Sequence, residues 1–333
     1  MPEQQGLTEC QVEMTIIEMD GVFAFYPAGS RLLDSRWNEV QTRFEQCSDL
    51  AAVIRVFGDN WFTRLFGETW SALPSRLASL AIRPPSASYL SLRPDFDPLL
   101  FGTRLLSSAS TFSHWMRLID LAKDASRVEV HSIPIEWTST DAAAKATDLD
   151  ECFLPELLST PPCRELSWVF GELKLARLSD LCGEVVSPAD ATAVLAGLWL
   201  LLGDADASHR QSQSIEEEGR HRCGNFWHAI MHRQEPDYGN SKYWFRRVGQ
   251  HSIFPELARW ADELIGADGS ESARRWRTKL GTPDRWDPFA FVDWCEAAAR
   301  EADVRQTQLI RRIQFVEMHL LLRASFEDAT RST

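Results

Sequence analysis

Apolar residues recur along this chain with two different periods. MTIIEMDGVFAFYP (Met14–Pro27) is rich in β-branched and aromatic residues and is broken by Asp20-Gly21, a hairpin signal. VEVHSIPIEW (Val128–Trp137) alternates polar and apolar positions, and Pro134, with no N–H to give a ladder, predicts an edge strand. Between them helical spacing is read at Ser35–Cys47, Asp49–Phe66 and Ser110–Ala125, and the four prolines of Arg83–Pro98 predict an extended connection. From about residue 151 the reading is nearly all helix. Asp180 and Ser187-Pro188 are start signals, and Phe254–Ile265, Ser270–Leu280, Phe289–Ala302 and Val304–Phe326 follow as further helices. Two parts result: residues 1–150, mixed and mostly helical with a few strands, and residues 151–333, all helical.

The second part contains a degenerate repeat. Setting Thr192–Ile215 against Asn225–Val248, an offset of 33 residues, matches Ala196 with Ala229, Trp199 with His232, Asp204 with Asp237 and Ser208 with Ser241. Small residues at the matched positions let two antiparallel helices approach closely, and Gly203-Asp204 and Pro236-Asp237 make the turns. Period and turn resemble a tetratricopeptide helix pair. The predicted fold class is therefore mainly α, with TPR-like helix pairs in the C-terminal half and a smaller strand-containing N-terminal part.

Composition narrows the function classes. At 333 residues the chain can bury a large core, and its formal charge of −13 argues against a general binder of nucleic acid or anionic membrane, since phosphate contacts need a basic surface. The longest apolar run, Ala193–Leu202, is about half of what a bilayer requires and reads as a buried helix. The start MPEQQGLTEC lacks the basic-then-apolar order of a secretory signal, and seven scattered cysteines without a CxxC pair read as free thiols. The expected setting is the cytoplasm.

Histidine is the chemical signal. Five of the eight, His209, His221, His228, His232 and His251, fall within 43 residues. His228 and His232 stand one helical turn apart on one face, a spacing at which two imidazoles share a metal; Glu235 continues that face, and His251 or His209 supplies a third ligand. Zinc or iron accepts such a set. The opposing reading is packing. HxxxH lacks the glutamate that makes HExxH specific, because Ala229 holds that place, and the repeat puts His228 and His232 where Leu195 and Trp199 stand. Ser214 and Glu217 have the spacing of a capping box, a purely structural role.

The next helix adds cations among aromatic rings: Lys242, Arg246 and Arg247 with Tyr243, Trp244 and Phe245. Lys242 and Arg246 share a face and suit a carboxylate or phosphate; the plain alternative is ion pairing of the arginines with Glu216–Glu218 or Asp237. The segment Phe226–Phe254 resembles a family of bacterial and fungal proteins of unestablished function that carry a "WHAIMHRREPDYxNAKYWFRRVG" segment, and Trp286–Ala298 is also similar to that family. The resemblance implies that His209, His228, His232, Asn240, Lys242, Tyr243, Trp244 and Arg246 belong to the shared motif.

Two functional expectations stand side by side. In one, His209, Asn240, Lys242, Tyr243, Trp244 and Arg246 line a pocket for a small anionic ligand, while His228, His232 and His251 hold a divalent metal for a metal-assisted reaction. In the other, the motif is cement between helices of a non-catalytic adaptor that offers an exposed apolar groove to a protein partner.

Overall fold

In the computed structural model the described residues are 14–19, 22–27, 30–31, 50–57, 88–92, 127–133, 136–137 and a few short stretches among them, then 154–159 and 167–331 except 283–284 and 302. The chain divides into two compact units, one of residues 1–71 and 78–153, the other of 72–77 and 154–333.

The first unit is built on a sheet. β1 (Met14–Met19) and β2 (Val22–Pro27) pair antiparallel, with Met19 opposite Val22, so only Asp20-Gly21 joins them, as a two-residue hairpin requires. β3 (Ser30–Arg31) pairs instead with the short β7 (Glu136–Trp137). The five-stranded sheet runs β1-β2-β5-β4-β6, where β4 is Leu50–Phe57, β5 is Ser88–Leu92 and β6 is Arg127–Ile133. β6 stands at one end of that order, with Pro134 just beyond it, in keeping with its alternating pattern.

Two expectations fail here. Leu50–Phe57, read as part of a helix over Asp49–Phe66, is a strand lying between β5 (antiparallel) and β6 (parallel). Its run LAAVIRVF is apolar on both faces, and such a run satisfies helical and strand periods alike; Val53, Ile54 and Val56, stiff at χ1, favour the ladder. The supposed connection Arg83–Pro98 contributes β5, a ladder partner to both β2 and β4. Of the helix read over Ser35–Cys47, Thr42, Glu45 and Gln46 are described and helical; the one read over Ser110–Ala125 lies outside the described residues.

The second unit is helical. Its elements are α1 (Ser167–Leu175), α2 (Leu178–Cys182), α3 (Pro188–Leu201), α4 (Ala205–Ser214), α5 (Cys223–Gln234), α6 (Tyr238–Val248), α7 (Phe254–Asp268), α8 (Glu271–Leu280), α9 (Pro288–Glu301) and α10 (Val304–Thr330). A two-stranded pairing of Gly281–Thr282 with Arg285–Trp286 separates α8 from α9. None of the described helices is long and apolar enough to cross a membrane.

The matched positions of the two helix pairs do matching work. Asp204 caps α4 by accepting from the Ala207 N–H at 2.9 Å; Asp237 caps α6 by accepting from the Asn240 N–H at 3.1 Å. Each cap residue sends its own N–H to the carbonyl five residues back, Trp199 or His232, at 2.9 Å. Ser208 and Ser241 are both fully buried between their helices. The same step of 33 residues carries on further than the sequence comparison followed it: Ser270 caps α8 from Ala273, and Asp303 caps α10 from Gln306. Four helix pairs thus start their second helix in register. They do not run on as an open array, because α10 packs against α3 of the first pair and against α7.

Close approach is set by small residues. A Cβ at Gly197 on α3 would run into the indole of Trp227 on α5, so only glycine lets these helices meet there. Ser214, read as opening a capping box, instead ends α4: its hydroxyl donates to the Gln211 carbonyl at 2.7 Å. Glu217 sits in the left-handed region at φ 62 and accepts from Asn225 and Arg247, so the loop geometry takes it away from any cap.

Candidate functional site

Every residue of α5 is buried, including its polar ones, so the helix must satisfy its imidazoles and its arginine internally. Arg233 does so at its two terminal nitrogens, with Glu317 and Gln314 of α10, and lies over the Phe291 ring of α9, 4.6 Å from its guanidinium carbon, while its Nε has no partner. Burial pushes the Glu317 carboxyl up and Arg233 pulls it back, a closed pair that joins three helices.

His228 is different. Both of its ring nitrogens are buried and neither has a hydrogen-bond partner. A buried polar group left in this state costs about 1–3 kcal/mol, and His228 is the one ring among the described residues with both of its nitrogens in that state. Around it the helix pairs assemble two more imidazoles. His232, one turn on, stacks with it at 4.8 Å between centroids, and His209 of α4 approaches edge-on at 4.7 Å from His228 and 5.4 Å from His232. One nitrogen from each ring lies within 4.8 Å of the others. His209 is only partly buried, which gives the group a side facing solvent.

Helix α6 holds the rings in place. Trp244 stacks on His228 at 3.9 Å, and the Asn240 amide lies 3.0 Å from His232 Nε2. That amide N–H donates to Nε2, which leaves the ring proton on Nδ1. Glu235 Oε2 stands 3.4 Å from that Nδ1 without hydrogen-bond alignment, so the pairing is electrostatic. Burial, reinforced by His232 and His209, pushes the His228 pKa down to about 3. Burial also lowers His232, against the opposing pull of Glu235. At neutral pH both rings are uncharged, the state in which imidazole ligates metal.

The cations of α6 are engaged elsewhere. Lys242 pairs with Asp293 of α9, and Arg247 pairs with Glu216 and Glu217 while donating to the Tyr243 hydroxyl. Arg246 is exposed, its guanidinium 5.8 Å from the Phe289 ring, and Tyr243 is exposed as well. The ion-pair alternative weighed for the arginines therefore describes Arg247, with Glu216 and Glu217 as its partners. Large exposed apolar side chains among the described residues are Leu158, Leu175, Val186, Tyr243 and Val304, each on a different segment.

His251, expected beside His228 and His232, lies in a second buried group at the other end of α5. Its Nε2 is 3.5 Å from the sulfur of Cys223, and its Nδ1 accepts from the Ile253 N–H at 3.3 Å. Burial, with His221 beside it, pushes its pKa down to about 3. Cys223 is also 3.7 Å from Asp328 Oδ2, to which His221 Nδ1 bonds at 2.7 Å, and burial and Asp328 push the thiol well above its ordinary range. Two members of this group, Asp190 and Asp328, went unnoticed in the sequence. Asp190 reads locally as a first-turn helix residue beside Ser187-Pro188, and nothing near it points to Asp328 at the far end of α10. Comparison with protein-family models, with curated proteins and with solved structures finds no match.

Proposed function

We propose that His209, His228 and His232 form a divalent transition-metal centre of the zinc or ferrous class. The observation that carries it is the His228 ring, buried with both nitrogens unpartnered while two further imidazoles converge on it. Nitrogen ligands of this softness select zinc, iron or their neighbours over magnesium and calcium. Trp244 and Asn240 act as the outer shell, fixing ring orientation. A metal held by three histidines keeps a position open to water or substrate, so the reaction class that fits is metal-assisted hydrolysis or oxygen chemistry. His209, on the solvent side, marks the direction of access. Free buried thiols at Cys182, Cys223 and Cys295 suit the reducing cytoplasm as the setting we propose.

The test is metal analysis of untagged full-length protein beside its His228→Ala/His232→Ala double variant. The reading expects the double variant to carry one equivalent less than the unmodified protein and to fold with the same helical circular dichroism. Equal metal content in the two proteins, after titration with zinc and with ferrous iron, overturns it.

A further inference from the structure

A second site lies at the opposite end of α5. We infer that Asp190, Cys223 and Asp328 form a buried binding site for a thiophilic divalent cation, zinc in class, that staples the ends of α3, α5 and α10. One oxygen from each carboxylate and the Cys223 sulfur all lie within 4.8 Å of one another, and all three residues are buried. Asp190 is 2 % exposed, and its Oδ1 has no hydrogen-bond partner.

Charge gives the physical reason. Two carboxylates so close together and so deeply buried repel each other and lose their hydration. Among the described residues the only side-chain ion pair to either is His221 on Asp328. Asp190 Oδ2 accepts from the Ser187 hydroxyl at 2.7 Å and from the Arg220 N–H at 3.1 Å, which leaves Oδ1 unserved. The loop between α4 and α5 is shaped to this carboxylate. Gly219 has φ +84, and a Cβ there would run into Asp190 Oδ1. A divalent cation offsets the paired negative charge and uses the open oxygen; the thiolate selects zinc over calcium and magnesium.

The two histidines fit as supports. Because His251 Nδ1 accepts from the Ile253 N–H, its proton sits on Nε2 and points to the Cys223 sulfur, where it would support the thiolate formed when a bound cation displaces the thiol proton. His221 donates to the same Asp328 oxygen that faces Cys223, as outer-shell imidazoles do for ligating carboxylates. This inference stands independently of the three-histidine centre, since the two groups share no ligand.

Cobalt(II) titration of the metal-free full-length protein tests it, read by the near-ultraviolet charge-transfer band of a cobalt–thiolate bond. The band is expected in the unmodified protein and in His228→Ala/His232→Ala, and is expected to vanish in Cys223→Ser. Absence of the band from the unmodified protein, or its survival in Cys223→Ser, overturns the assignment. Should Cys223→Ser fail to fold, Asp190→Asn decides: the band persists, but cobalt affinity falls about tenfold or more. Unchanged affinity in Asp190→Asn overturns it.

Discussion

The first and second helix pairs share a backbone plan and differ in what they bury. Leu195, Trp199 and Leu200 of α3 stand where α5 carries His228, His232 and Arg233. In the first pair these positions make ordinary packing; Trp199, for instance, stacks on Phe170 at 5.9 Å. In the second pair the same positions hold an uncharged, unpartnered imidazole, its neighbour and a fully buried guanidinium. The caps and the turn hydrogen bonds are the same, so the scaffold does not demand the polar set. A position that the fold can fill with leucine nonetheless carries an unpartnered imidazole on α5, and that contrast supports the metal centre proposed there.

That comparison can be broken or sharpened by substitution. The largest effect is expected at Arg233. Arg233→Leu, which installs the first pair's residue, leaves the fully buried Glu317 without its partner and should cost about 3–5 kcal/mol by denaturant unfolding. Arg233→Leu/Glu317→Leu should recover most of that loss; if it does not, the pair is more than an exchangeable strut.

Acid comes next. His228 and His251 have pKa values lowered from 6.5 to about 3 in the folded chain, so between those values the unfolded state binds more protons. Stability of the metal-free protein should be flat with respect to these groups above pH 6.5 and fall as pH drops from 6.5 toward 3, by on the order of a few kcal/mol. Replacing His228 with the first pair's leucine should flatten part of that slope in a urea series across pH. An unchanged slope would show that His228 titrates normally.

The same His228→Leu variant carries a smaller effect of opposite sign. At pH 8 and without metal it should be more stable than the parent by about 1–2 kcal/mol, because an unsatisfied buried group is gone, while metal uptake at the three-histidine group is lost. Smallest are the caps: Asp204→Ala and Asp237→Ala should each cost about 1 kcal/mol, and nearly equally. A large inequality in thermal unfolding would mean the pairs are not equivalent scaffolds.

Much of the helical unit is legible in the sequence, because its helices announce themselves locally. Ser187-Pro188 opens α3, and the periodic runs after residue 253 fall within a few residues of α7 to α10. The offset that relates α3–α4 to α5–α6 is legible too, through turns and small residues. Its continuation to Ser270 and Asp303 is not, because a serine or aspartate cap is one residue and the helices beside it have changed their packing partners. Leu50–Phe57 misleads because an apolar run carries no period of its own; its pairing with β5 and β6 decides it. At the site, His228 and His232 are visible by spacing, and His209 by the repeat. His251 is misplaced because spacing along the chain cannot say which end of α5 a residue after α6 returns to. Arg233 with Glu317, and Asp190 with Asp328, depend on partners far off in sequence and leave no local trace.

The join at the end of α10 has a consequence for how the chain is made. The Ala329 carbonyl accepts the N–H groups of Val186 and Ser187, and α10 also brings Glu317 to Arg233 and Asp328 to His221. The first helix pair therefore cannot be finished when it leaves the ribosome. It waits until α10, which ends roughly 115 residues after α4, has been added, and Arg233 of the second pair waits with it for Glu317. Closure of this unit is an event that follows synthesis of α10, and nascent chains stalled before residue 317 should be the form that chaperones hold and proteases cut.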